Sequence, residues 1–329
     1  MADVLNPEQT ESTHLNTELE TPTLDAPADH FDPSEEPTTH AGTPSLSHLA
    51  SASRPTGTHA SSDETELTGM HPVIIRPRFL MQETMTTAEV VDALQSIGRR
   101  GSHGVVLKAR DVPEITEAIG DLQRRGIPVI TIFTEIPLSG RLAYAGLDNR
   151  VAGATAAYLV AQWLGSRPGN ILITMSDERF RGEEEREISF RRALRTRYPQ
   201  LTLIDASGGH GLDTSTEKRV LDVLATDTRI AAVYSMGGGN AAILRALGAH
   251  QQSPICFIGH DLDRDNVRLL REGKLQAILH HDLRQDMRSA CQHIICFHKL
   301  LPASAVSPSS SVVVVTPENI PEHIASRFR

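Results

Sequence analysis

The stretch Leu142-Ala-Tyr-Ala-Gly-Leu-Asp-Asn-Arg-Val-Ala-Gly-Ala-Thr-Ala-Ala-Tyr-Leu-Val-Ala-Gln-Trp-Leu164 changes period half-way. Residues 142–147 form a short apolar run of strand length. Asp148 and Asn149 interrupt it, and an alanine-rich segment then recurs at helical spacing as far as Leu164. Residues 171–175, Ile-Leu-Ile-Thr-Met, are again a strand-length aliphatic run. A strand, a helix and a second strand in this order make a parallel unit, and its near-continuous aliphatic strands fit a sheet covered on both faces.

The same alternation extends in both directions. Strands are expected at 73–75, 104–107, 128–133, 142–147, 171–175, 201–204, 231–235, 255–259 and 275–279. Helices are expected at 87–99, 112–125, 149–164, 184–197, 214–226, 240–250, 264–271 and 283–300. The class is α/β, with parallel sheets flanked by helices. Two successive units of four or five strands fit this length better than one very wide sheet.

The opening of the chain is different. Residues 1–70 hold 13 acidic residues against a single basic one, Arg54, for a net charge of −12, and prolines punctuate them throughout. No helical or strand period runs through them, and so acidic a segment cannot offset its ordering entropy by burial. It is expected to be a disordered tail preceding the fold. The other residues of the 329 carry +3 of the total of −9. With 4% aromatics and Trp163 as the single tryptophan, the core must be aliphatic. Three cysteines exclude a disulfide scaffold. No apolar run approaches the roughly 18–20 residues that span a bilayer, and no secretory signal opens the chain. A soluble, cytoplasmic protein is expected.

In open α/β sheets ligands bind beyond the carboxyl ends of the strands. Those positions read Thr134-Glu135, Asp148-Asn149, Ser176-Asp177-Glu178, Met236 to Asn240, His260-Asp261 and His280-His281-Asp282. Taken singly, each reads equally well as a helix cap. Taken together they suit a polyhydroxylated ligand. Phe133 reads as an apolar face for a sugar ring or as a core side chain.

Other chemistry is set aside on spacing. Cys291, His293, Cys296 and His298 fall in two pairs on opposite faces of a helix, so no metal site is expected. Gly237-Gly238-Gly239 lacks the Lys-Ser/Thr of a phosphate loop, and Gly208-Gly209-His210-Gly211 does not complete a dinucleotide fingerprint. Glu183-Glu184-Glu185 meets the positive end of a helix dipole. No nucleophile elbow is present. Neither a catalytic residue nor a cofactor is expected, and an enzyme on a similar scaffold ranks last.

Three motifs in order carry a resemblance. Leu142 to Gly153, Arg181-Gly-Glu-Glu-Glu-Arg-Glu-Ile-Ser-Phe190, and Phe257-Ile-Gly-His-Asp261 followed by Leu269-Leu-Arg-Glu-Gly273 are similar to stretches of Lac repressor (LacI) family transcriptional regulators. The resemblance spans roughly residues 72–301. It implies a type I periplasmic-binding-protein fold of two lobes joined by three crossing segments. The first lobe would hold 72–166 plus 283–301, the second 167–282 plus 302–329, with 312–315 returning as a strand. It further implies a sugar-like effector in the cleft, control of DNA binding by lobe closure, a homodimer, and operator DNA as a partner. Asp148, Asn149, Arg186 and Asp261 match the family's ligand contacts, and His281 lies near another. Met236 stands where relatives often have Asn, leaving that part of the pocket altered or served by Asn240.

The family's helix-turn-helix head is not recognisable in 1–70, and residues 72–79 align with the family's second strand. Two origins of the opening remain open: a shifted reading frame over a DNA-binding domain, or a truncated or diverged binding protein. The basic pairs Arg99-Arg100 and Arg191-Arg192 end or line helices, which speaks against direct DNA binding. The alternative function is a stand-alone sugar-binding protein.

Overall fold

The computed structural model describes residues 73–80, 85–226 and 228–328, and the tail read over 1–70 lies outside them. In chain order its elements are α1 (Thr87–Arg100), β1 (Val105–Leu107), α2 (Pro113–Arg124), β2 (Val129–Ile132), β3 (Ala143–Ala145), α3 (Asn149–Leu164), β4 (Gly169–Thr174), α4 (Arg181–Arg197), β5 (Leu201–Asp205) and α5 (Asp213–Leu224). There follow β6 (Ile230–Ser235), α6 (Asn240–Ala249), β7 (Cys256–His260), α7 (Arg264–Arg271), β8 (Ala277–His280), α8 (Leu283–Phe297), β9 (Val313–Val315) and the single turn α9 (Glu322–Ala325). The α/β class and the two lobes hold.

Strands β1, β2 and β3 form a parallel three-stranded sheet in that order. Helices α1 and α2 cover one face. Thr86 and Glu89 close a capping box on α1, and Pro113 opens α2 where its missing N–H costs nothing. Their apolar stripes bury Leu94, Ile115, Ile119 and Leu122 against Leu107 and Val129. Helix α8 covers the other face, with Ala290 and Ile294 against Ile130 and Ala145.

The second sheet has six strands in the order β5-β4-β6-β7-β8-β9, parallel except for β9 against β8. Alternation along the strands divides the core. Ile171, Ile173, Ala232, Tyr234, Cys256 and Ile258 face α3 and α4. Leu172, Val233, Phe257 and Ile278 face α5, α6 and α7.

Two expectations need correcting. Helix α3, assigned to the first lobe, packs against β6, β7 and α4 and belongs with the six-stranded sheet. The first lobe therefore ends at β3 rather than at 166. Residues 73–75, read as a strand, carry none, and Ile74 is exposed. Among the described residues β1 pairs on one side only, with β2. The chain crosses between the sheets three times: from β3 to α3, from β8 to α8, and from α8 back to β9.

Candidate functional site

The carboxyl ends of β4, β6, β7 and β8 point to the same side, because parallel strands in one sheet end together. The residues that leave them make the site. Two non-glycine residues at strand exits have left-handed backbones, Phe133 after β2 (φ 66°) and Asp261 after β7 (φ 62°). Such conformations cost of order 1–3 kcal/mol and gather at functional sites.

Arg186 is the centre of one half. It lies on α4, only 6% exposed. Its Nε donates to Asn149 Oδ1 at 2.7 Å and its Nη1 to the Met236 carbonyl at 3.0 Å. Asn149, in the first turn of α3, donates in turn to Tyr144 Oη at 3.3 Å, and Tyr144 donates to the Leu147 carbonyl at 3.0 Å. Gly153 makes this possible, since a Cβ there would overlap the Arg186 carbonyl and hold the two helices apart. At position 236 it is the backbone oxygen, not the side chain, that serves Arg186.

The other half surrounds Asp261. Asn266 Nδ2 donates to the carbonyls of His260 (2.9 Å) and Asp261 (2.8 Å), and Asn240 Nδ2 donates to Asn266 Oδ1 at 2.7 Å. Asn240 thus braces the Asp261 turn through Asn266. Tyr234 Oη and His260 Nε2 meet at 2.9 Å in the core. Burial, then the positive charge of Arg186 and the nearby His281, hold His260 well below the usual histidine range, so it is neutral. His281 is 2% exposed, its Nε2 lies 3.6 Å from Asp261 Oδ1, and the Phe133 ring stands edge-on to it with centroids 5.7 Å apart.

Several buried polar atoms here have no hydrogen-bond partner: Thr174 Oγ1 at the end of β4, Asn240 Oδ1 at the start of α6, His260 Nδ1 and Asp261 Oδ1 at the end of β7, and His280 Nδ1 at the end of β8. Each such group costs about 1–3 kcal/mol if left unpaired. Their common location at strand exits marks a place built to meet polar groups.

The two lobes touch across the cleft. Gly182 N donates to Thr134 Oγ1 at 3.0 Å, and a Cβ on Gly182 would strike the Phe133 carbonyl. Asp111 N donates to the Arg179 carbonyl at 2.7 Å, and Arg110 Nε to Asp177 Oδ2 at 3.0 Å, with the Arg110 guanidinium over the Phe180 ring. Burial pushes the Asp177 carboxyl up, but hydrogen bonds from Arg179 and Arg110 more than reverse this and leave it well below the usual range.

Of the residues expected from sequence, the structure brings together Asn149 with Arg186, and Asp261 with His281 and Phe133. Asp148 is exposed and caps α3 with Oδ1, accepting from Arg150 N (2.9 Å) and Val151 N (3.2 Å). Sequence reasoning missed Asn266, Tyr144, Tyr234 and Asp286. Glu183, read as a dipole partner, also accepts from Ser176 N and Oγ, both at 2.6 Å, and ties α4 to the exit of β4. Cys291 and Cys296 are free, and among the described residues no group of three His, Cys, Asp or Glu is placed to hold a metal ion. A surface depression bounded by Ala161, Tyr198 and Gln200 lies at the opposite end of α3 from Asn149.

A periplasmic binding protein domain matches residues 75–293, well over half of the sequence. The chain belongs to the periplasmic binding protein domain family. Its members are binding proteins rather than enzymes, and so is this chain. Among solved structures it is similar to GanP, a glucose-galactose binding protein from Geobacillus stearothermophilus, with TM-score 0.62 and 18% identity over 72% of this chain and 84% of that one. It is similar to a Caulobacter myo-inositol binding protein bound to myo-inositol, with TM-score 0.63 and 18% identity over 74% and 82%. It is also similar to a chain described as a LacI transcriptional regulator from Bacteroides fragilis, with TM-score 0.61 and 20% identity over 71% and 82%. These likenesses establish the shared fold. A search of curated protein sequences returns no match. No helix of the described residues is long and apolar enough to cross a membrane.

Proposed function

We propose that the cleft binds a neutral polyhydroxylated small molecule of the sugar or cyclitol class, and that binding favours the lobe contact described above. The observation that carries this reading is the set of unpartnered buried atoms at the strand exits. Asn240 Oδ1 and Asp261 Oδ1 are acceptors, so they call for a ligand rich in O–H donors and disfavour an anion. Arg186 supplies donors, and the Phe133 ring supplies an apolar face. The names of the glucose-galactose and myo-inositol binding proteins agree with this class.

The test is thermal unfolding of the full chain against glucose, galactose, xylose, arabinose and myo-inositol. A true ligand at one hundred times its Kd adds about 2.7 kcal/mol of stability. Arg186→Ala and Asp261→Ala should each abolish the rise. A wild-type midpoint that no sugar moves overturns the reading.

The finer reading is an effector-binding region of a LacI-family regulator, a cytoplasmic homodimer acting on operator DNA. The three ordered motifs between Leu142 and Gly273 and the likeness to the Bacteroides chain support it. Ligand control then requires different sugar affinity in the two lobe arrangements. The alternative, a stand-alone sugar-binding protein, is supported by the likeness to GanP. Cell fractionation separates them: recovery with the cytoplasm and a sugar-dependent change in the dimer favour the regulator, while export favours the stand-alone binder.

A further inference from the structure

Tyr234 is fully buried, with its ring against that of Phe190 (centroids 4.5 Å apart). Among the described residues its hydroxyl has one partner, His260 Nε2 at 2.9 Å. Burial pushes the phenol up by more than Arg186 lowers it, so the hydroxyl keeps its proton and must place it. His260 ends β7 and is 5% exposed. Burial, with Arg186 and His281 beside it, keeps its ring neutral.

A neutral imidazole carries one proton, on either nitrogen. On Nε2 it would leave the tyrosine proton without an acceptor and Nδ1 as an unpaired acceptor as well. On Nδ1 it lets the tyrosine donate to Nε2, and a single group is left over, the Nδ1–H. Unpaired buried polar groups cost their desolvation, so the arrangement with one of them prevails. Nδ1 is buried and meets no protein partner among the described residues. The two ring nitrogens point in diverging directions, so Nδ1 is turned away from the core tyrosine. The exit of β7 stands between those of β6 and β8. On the β6 side Arg186 is bonded to the Met236 carbonyl. On the β8 side follows His281, whose Nδ1 lies 2.5 Å from Oδ2 of the buried Asp286, which also accepts from the Ser310 hydroxyl at 2.9 Å.

We propose that His260 is a ligand contact, its Nδ1–H donating to the oxygen of one ligand hydroxyl, and that Tyr234 is the positioning residue that locks the proton there. The contact rests on the polyol reading of the cleft and deepens it. Asn240 Oδ1 and Asp261 Oδ1 call for protons, whereas His260 Nδ1–H calls for a lone pair. A hydroxyl supplies both, a carboxylate lone pairs alone and an ammonium protons alone. The mixed set therefore selects a hydroxyl at this position against an amine as well as against an acid.

The test uses the ¹⁵N-labelled full chain, its Tyr234→Phe and His260→Phe variants, and the best sugar of the panel above with its monodeoxy analogues. Long-range ¹H–¹⁵N spectra report which His260 nitrogen holds the proton, and calorimetry gives the Kd. In the wild type the proton should sit on Nδ1. In Tyr234→Phe it should spread to Nε2 in the free chain and return to Nδ1 with sugar. The Kd should then be about two- to threefold weaker, because only part of the free population holds the proton where it is needed. In His260→Phe affinity should fall roughly five- to tenfold, as expected for one hydrogen bond. The analogue lacking the oxygen that His260 meets should lose nothing further in that variant, while the others lose the same factor. A wild-type proton on Nε2 overturns the assignment. So does a His260→Phe loss of equal size for every analogue, since the ring is then merely structural. Sugar binding that ignores His260 overturns this contact alone, whereas a wild type that binds none of the sugars overturns the polyol reading and the contact with it.

Discussion

The two sheets contribute unequally to the cleft. The six-stranded sheet ends in buried polar side chains from four neighbouring strands, braced by the Asn240–Asn266 hydrogen bond and centred on Arg186. The three-stranded sheet offers Phe133, one ring carried on a strained backbone, and Thr134, whose hydroxyl is spent on Gly182. Recognition is thus concentrated on one lobe and coverage on the other. In such a division, changes to the larger lobe should abolish binding, whereas changes to the smaller one should weaken it and alter closure.

The strongest way to break this comparison is Arg186→Ala, which removes two hydrogen bonds and leaves buried oxygens on Asn149 and Met236 unpaired. Sugar affinity should fall by about a hundredfold or more, measured by calorimetry. A smaller loss than for any smaller-lobe variant would reverse the proposed division. Gly153→Ala should come next: its methyl group forces α3 from α4 and should destabilise the chain by about 1–3 kcal/mol in denaturant unfolding, with affinity falling in parallel. Phe133→Gly tests the covering side. It should weaken the sugar roughly five- to tenfold, while the thermal midpoint hardly moves, because release of about 1–2 kcal/mol of backbone strain offsets the lost ring.

The smallest effect concerns pH. The folded Asp177 carboxyl is depressed, so what its bridge to Arg110 and Arg179 contributes is fully present above the unfolded value near pH 3.9 and is lost as pH falls below it. The bridge should therefore persist at mildly acid pH, and Asp177→Asn should flatten the stability profile only in strongly acid solution.

How far the sequence could be read follows the same asymmetry. Strands β4, β6, β7 and β8 were legible because each is a buried aliphatic run closed by polar residues, and that pattern survives in one dimension. The allegiance of α3 was not. It is apolar almost all round, with Ala152, Ala156, Ala157 and Val160 fully buried, so its own pattern does not say which sheet it covers. Asn149 was legible as a strand-exit residue, but Arg186 came from the resemblance alone, since it stands far from Asn149 in the chain and meets it only because Gly153 lets two helices touch. Asn266 looks like any residue in the first turn of a helix until the turn it braces is seen. Asp286 is equally silent, because its partners His281 and Ser310 lie on either side of a whole helix. At Asp148 a cap and a ligand contact call for the same residue type, so the sequence offered both readings, and the structure shows the cap.

Gly153 has a mechanical consequence. Helix α3 leaves a crossing segment at Asp148, grips the arginine with its first residue, and is seated rigidly against α4 along its length. The grip on the arginine is therefore set in a seam between two helices rather than in a loop, with Asn149 one turn from the point where Gly153 lets the backbones touch.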